Sequence, residues 1–267
     1  MRAPIPVVAP SGRFRAAVAE LPVSTKPMST QPGGPPVGGA VVVVPGDGPW
    51  WDSLLAAQDA KAAAVVVDRP QGVPPEAAAA LAAGAVRVPV IVDRPLLRAD
   101  VVADAIQGRN GDRPVVVTVE CAASPRELPA ALCDALRWAA ILAGAPLRTI
   151  AGSLPGDVGV HLLEAGDTTV TVAVRVLASD APPQLRVTAL GAVRTEVESV
   201  HVDTGPRVTT TNAAGAMVAA KRYEGSARLC LRRALEAASS GTLQSDLTEL
   251  IEDGLLASRL MEEHKQG

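Results

Sequence analysis

The chain has 267 residues, of which 48% are hydrophobic, 20% charged and only 2% aromatic. That is enough material for two modest domains with cores of Ala, Val and Leu, and the scarcity of rings argues against base-stacking platforms. A formal net charge of −3 and an isoelectric point near 5.7, with no block of Lys or Arg, exclude a phosphate backbone, and with it nucleic acid, as an expected partner.

The three cysteines, Cys121, Cys133 and Cys230, fit neither a disulfide framework nor a zinc knuckle. They read as small buried hydrophobes in a reducing compartment. No apolar run approaches the length of a membrane span, and the first residues lack the basic-then-apolar pattern of a signal peptide, so a cytoplasmic location with no membrane partner is expected.

In chain order, Ile5 to Val8 is a predicted strand, Ala9-Pro10-Ser11-Gly12 a turn, and the next residues a helix carrying Phe14, Val18 and Leu21. Pro22 to Gly39, rich in Pro, Gly, Ser and Thr, cannot hold a long regular element. Ala40 to Val44 reads as a buried strand, and Trp50 begins a short helix. "VVVDRP" at Val65 to Pro70 then recurs as "VIVDRP" at Val90 to Pro95, with a helix closed by Gly84 between them. Continuous apolar strands alternating with helices are what a parallel sheet covered on both faces requires. The two Asp-Arg-Pro triplets are thus strand exits at one carboxyl edge, where Pro stops further pairing.

Pro114 to Ala123 reads as another strand, followed by an amphipathic helix with Leu132, Leu136 and Ile141 toward a core. From Pro146 to Gly215 come strands of alternating polarity between turn residues, as in an antiparallel sheet with one open face, and two helices finish the chain. The expected division is a Rossmann-like α/β domain over residues 1–120 and an α+β domain over 121–267 with a mostly antiparallel sheet.

Most of residues 50 to 260 resembles the Gfo/Idh/MocA oxidoreductases. Pro70 matches the Pro of that family's Thr-Pro strand exit, Gly84 its helix-ending Gly, and Asp93-Arg94-Pro95 its Glu-Lys-Pro. "CDALRWAAILAG" is similar to its His-x-x-Asp-Leu-Leu-Arg-Trp helix, and the final helices also correspond. The resemblance implies an NAD(P)-dependent sugar or polyol dehydrogenase that oligomerises through its C-terminal sheet.

The positions that carry the family's chemistry depart from it. Its Gly-x-Gly-x-x-Gly turn, whose backbone approaches the pyrophosphate, corresponds to Ala9-Pro10-Ser11-Gly12-Arg13-Phe14, with each glycine replaced and an amide donor lost at Pro10. The Glu-Lys-Pro lysine is Arg94, which cannot shuttle a proton near neutral pH. Aligning Asp134 with the family's Asp puts Ala131 where its His stands, and a methyl group is no general base. His161 offers a second match to the His motif, but Glu164 stands where the Asp should be. Between Ile106 and Pro125 only about one strand stands where the resembled family carries a strand, an Arg-rich loop and a helix that build its substrate pocket.

These departures point to a non-catalytic, shortened relative, an assembly or regulatory subunit that forms a homo-oligomer or pairs with a catalytic paralogue through the C-terminal sheet. On this reading no cofactor is bound. The alternative is an NAD- or NADP-dependent dehydrogenase with an atypical site, in which Arg94 and Asp134 are the catalytic candidates and Ser11, Gly12, Arg69, Pro70, Arg94 and Pro95 the cofactor-binding ones. A second alternative is an anion or small-ligand sensor using Ser11, Arg69 and Arg94 at the sheet edge, where open α/β sheets bind ligands. Against these stand structural readings: Asp134 and Arg137 as helix-surface or domain-interface charges, Arg69 and Arg94 as solvated loop residues or ones paired with Asp68 and Asp93, and Ser11-Gly12 as an ordinary turn. His161 and His201 have no partners at metal-ligand spacing, so no metal is expected. Trp50 and Trp51 read as sheet packing, with a sugar platform as the other possibility.

Overall fold

The computed structural model describes residues 5–21, 25–28, 37–153, 156–178, 181–199 and 206–262. The first elements are β1 (Ile5–Val8), α1 (Gly12–Ala19), β2 (Thr25–Met28), β3 (Val41–Pro45), α2 (Trp50–Asp59), β4 (Ala64–Asp68), α3 (Ala77–Ala82) and β5 (Val90–Asp93). Then follow α4 (Ala99–Arg109), β6 (Val116–Ala123), α5 (Leu128–Ala143), β7 (Arg148–Ser153), β8 (Val158–Ala165), β9 (Thr168–Val176), β10 (Gln184–Leu190), β11 (Arg194–Ser199), β12 (Arg207–Asn212) and β13 (Gly215–Val218). Helices α6 (Ser226–Ser240) and α7 (Asp246–Glu262) close the chain.

Two compact units result. Residues 1–94 and 223–252 form the first, residues 95–222 and 253–267 the second. The first unit holds a five-stranded parallel sheet in the order β2-β1-β3-β4-β5. Strands alternate their side chains between faces. Accordingly Val41, Val43, Val66 and Ile91 pack with Phe14 of α1 and Cys230, Leu231 and Ala234 of α6, while Val42, Val44, Val65 and Val92 pack with Trp51 and Leu54 of α2 and Leu247, Leu250 and Ile251 of α7. Burial on both faces is why these strands are nearly unbroken Val runs.

The second unit holds an eight-stranded sheet in the order β13-β12-β11-β10-β6-β9-β8-β7, antiparallel except for the β6–β9 pair. One face is covered by α4, α5 and the end of α7. The other leaves Ile150, Val158, Val160 and Leu162 exposed.

The Rossmann-like and open-sheet architecture is the one expected, but its division is not the expected cut at residue 120. The first unit stops at Arg94 and takes back residues 223–252. Val101 and Ala105 of α4 are buried in the second core, and β6 alternates buried and less buried residues, the pattern of a strand covered on one face. Ile141 is only half-buried, and its neighbour Leu142 takes the core position. Strand β13, which the sequence did not reveal, pairs with β12 through a tight turn in which Asn212 Oδ1 accepts from Ala214 N at 2.8 Å and Gly215 has φ +136°.

Candidate functional site

In the first unit β1 has β2 on one side and β3 on the other, so the direction of strand succession reverses at β1. A crevice outside the carboxyl ends at such a switch point is where open α/β sheets bind ligands. Ser11 is the N-cap of α1 with extended backbone, yet its hydroxyl caps no helix amide and instead donates a long 3.5 Å contact to Asp68 Oδ2. Phe14, fully buried, fills the space between α1 and the sheet, where the resemblance requires the third glycine for close helix packing.

The strand exits sit side by side, with Asp68 and Asp93 direct neighbours across β4 and β5. Two carboxylates so placed repel unless a cation lies between them. Arg13 supplies it. Its Nη2 donates to both Asp68 Oδ1 and Asp93 Oδ2, and its Nη1 donates to Ser226 Oγ at 3.1 Å. Burial alone would lower the Arg13 pKa; the charge and hydrogen bond of Asp93, then those of Asp68, outweigh it and raise the value.

Around this bridge the edge is closely tied. Arg69 adopts the left-handed region at φ +53°, uncommon for a residue with a Cβ. Its amide donates to Asp93 O at 3.2 Å, and its Nε lies 3.9 Å from Asp93 Oδ2. Gly46 donates to Asp68 O at 2.8 Å and accepts from Gln71 N at 3.0 Å; a Cβ there would collide with the backbone of Asp68, Arg69 and Pro70. The Cys230 thiol points at Asp93 Oδ1 at 3.5 Å. Burial first, and the Asp93 charge next, push its pKa well above the ordinary thiol value. Asp246 Oδ2 accepts from Val92 N at 3.1 Å and from Arg233 Nη1 at 2.9 Å, and its Oδ1 accepts from Arg233 Nη2 at 2.7 Å.

The cofactor-binding candidates divide accordingly. Ser11, Gly12, Arg69, Pro70 and the buried Arg94 stand at this edge, whereas Pro95 begins the second unit. Arg13, the hub of the cluster, was not among the candidates. Its position two residues past Ser11 hinted at the turn, but partners 55 and 80 residues away leave no local trace.

Asp134 belongs to the second unit and is buried on α5. Its Oδ2 accepts from Leu96 N at 3.0 Å, while Trp138, one turn on, donates Nε1 to Leu96 O at 2.8 Å. These two residues grip both polar groups of one residue's backbone. Asp134 is therefore not the helix-surface charge of the structural reading. Arg137, from the same helix, pairs with Asp253 at 3.0 Å. His161 is buried on the core side of β8 against Gly152, and His201 lies outside the described residues. Trp50 and Trp51 are buried, edge to face, with Trp50 Nε1 bonded to Gly72 O, so neither ring offers a sugar platform. Among the described residues no group of three His, Cys, Asp or Glu could hold a metal, and no helix is long and apolar enough to cross a membrane.

The first unit is a Rossmann-like parallel sheet with a charged carboxyl edge, and the second carries a mostly antiparallel sheet with one open face. No family model and no curated protein matches the sequence. Solved structures match in three dimensions. KijD10, a 3-ketoreductase from Actinomadura kijaniata in complex with NADP, superposes with a TM-score of 0.67 at 16% identity, over 99% of this chain and 98% of its own. The UDP-N-acetylglucosamine 3-dehydrogenase GnnA from Acidithiobacillus ferrooxidans gives 0.72 at 11% identity, over 98% and 97%. A putative oxidoreductase from Erwinia carotovora atroseptica gives 0.63 at 15%, over 96% and 90%. At these identities the likeness establishes the fold.

Proposed function

We propose that the chain is a relative of the Gfo/Idh/MocA oxidoreductases that takes NAD or NADP at the carboxyl edge of the first unit and acts on a sugar or polyol. The observation that carries this reading is the charge of that edge. Arg13 follows β1, where the strand order reverses, and with the exposed Arg69 it brings guanidinium groups to the carboxyl edge beside Asp68 and Asp93. The solved neighbours, two of whose names specify a ketoreductase with NADP and a sugar-nucleotide dehydrogenase, support it through fold. These cations suit a phosphate-bearing group, although the turn lacks the glycine amides that usually cradle one. When bound, the nicotinamide supplies the hydride acceptor or donor. The chain's own contribution is to bind and orient through guanidinium groups that hold their protons, since Arg94 stands where the resemblance expects lysine.

The second reading, a non-catalytic subunit, is favoured by one specific feature: Ala131 occupies the histidine position, leaving no side chain to move a proton there. Its working surface is then the open sheet face around Val158, Val160 and Leu162, where a second copy or a catalytic paralogue docks. Calorimetric titration with NAD(H) and NADP(H), followed by turnover assays on UDP-sugars and polyols, separates the two. Saturable binding with turnover upholds the first reading. Absence of binding at millimolar cofactor leaves the second.

A further inference from the structure

We infer that Asp68 and Asp93 act as an internal competitor for the phosphate site, holding Arg13 in a contact that an anionic ligand must displace. The inference rests on the nucleotide-binding reading and adds an autoinhibitory contact to it. Two side chains of the turn that should face a phosphate, the Ser11 hydroxyl and the Arg13 guanidinium, both face Asp68 instead. A carboxylate presents oxygens to a guanidinium much as a phosphate does, so Asp68 and Asp93 occupy the donors a ligand would use. The contact is built to be exchanged rather than sealed. Arg13 keeps 28% and Asp68 13% of side-chain exposure, whereas Asp93 has 2%. Arg13 can therefore leave Asp68 toward the solvent side, while Asp93 keeps the Cys230 thiol and the nearby Arg69.

Charge predicts opposite effects for the two partners. Removing Asp68 leaves Arg13 paired with Asp93 alone and raises the net charge of the edge; removing the cation deletes the donor and leaves two carboxylates that repel an anion. Asp68→Asn is expected to bind inorganic pyrophosphate and NADP more tightly than wild type, by about tenfold or more, the weight of one charged hydrogen bond. Arg13→Gln is expected to lose pyrophosphate binding. A gain of affinity cannot come from misfolding, so Asp68→Asn carries the test, and Asp68→Ser replaces it if the amide variant does not fold. The titrations are run on the full chain with each ligand separately. If wild type binds NADP and neither Asp68 variant binds it or pyrophosphate more tightly, the competitor is overturned while the nucleotide reading stands. If an Asp68 variant gains pyrophosphate affinity but no protein binds NADP, the masked anion site stands and the dinucleotide falls. If nothing binds either ligand, both fail.

Discussion

Among the described residues Asp93 meets Arg13, Arg69 and Cys230, of which the thiol is uncharged. The thiol beside it stays protonated because a thiolate would be both buried and next to a carboxylate. Cys121 is held the same way in the second unit, pushed up to about 12 by burial first and then by the charges of Asp134 and Cys133. Since the thiolate is the reactive form, Cys121 and Cys230 are expected to take up no iodoacetamide in native protein near neutral pH and to label once denatured; mass spectrometry showing either labelled in native protein would contradict this. Asp100, on the first turn of α4, shows the opposite shift. Burial acts upward on its pKa, but the hydrogen bond and charge of Arg98 and the Val101 amide outweigh it, and the value falls below 3.8. The folded carboxylate thus binds a proton less readily than the unfolded one. Its stabilisation is present above the unfolded pKa and is lost as pH falls through the lower folded value. In urea titrations between about pH 5 and pH 2, Asp100→Asn should show a shallower loss of stability than wild type.

Helix α5 illustrates what a sequence pattern shows and what it hides. The spacing of Asp134 and Trp138, four residues apart, places both on one helical face, and the apolar positions marked the helix correctly. Nothing in that spacing tells that the face grips Leu96, a residue 38 positions away, rather than a substrate. Asp134→Ala leaves the buried Leu96 amide without that acceptor, which costs about 1–3 kcal/mol. Chemical denaturation should show the loss, while pyrophosphate affinity in the first unit stays unchanged. The parallel strands were legible because burial on both faces demands runs such as Val41 to Val44, and the twin Asp-Arg-Pro exits because Pro ends pairing. The same logic would have moved β6 to the other sheet, since Val117, Val119, Cys121 and Ala123 are buried while the residues between them are less so. The Arg13 bridge was illegible for a different reason: it ties α1 to β4, β5 and α6, four elements that only the finished fold brings together.

The division of the chain is decided by which helices cover the first sheet. Helix α6 lays Ala227, Cys230, Leu231 and Ala234 on one face, and the start of α7 lays Leu247, Leu250 and Ile251 on the other, although both come from the far end of the chain. A fragment ending at residue 120, where the sequence placed the boundary, keeps every strand of this sheet and loses part of the cover on both faces. Leu231, Leu247, Leu250 and Ile251 alone amount to about 6–12 kcal/mol at about 1.5–3 kcal/mol for each fully buried aliphatic side chain. A domain's entire net stability is about 5–15 kcal/mol. The cut also strips the Asp246 acceptor from Val92 and the Ser226 partner from Arg13. Fragment 1–120 is therefore expected to give no cooperative melting transition by circular dichroism. A chain in which residues 1–94 are joined by a flexible linker to residues 223–252 should recover one, and a cooperative melt from fragment 1–120 alone would show that α6 and α7 are dispensable to the first unit.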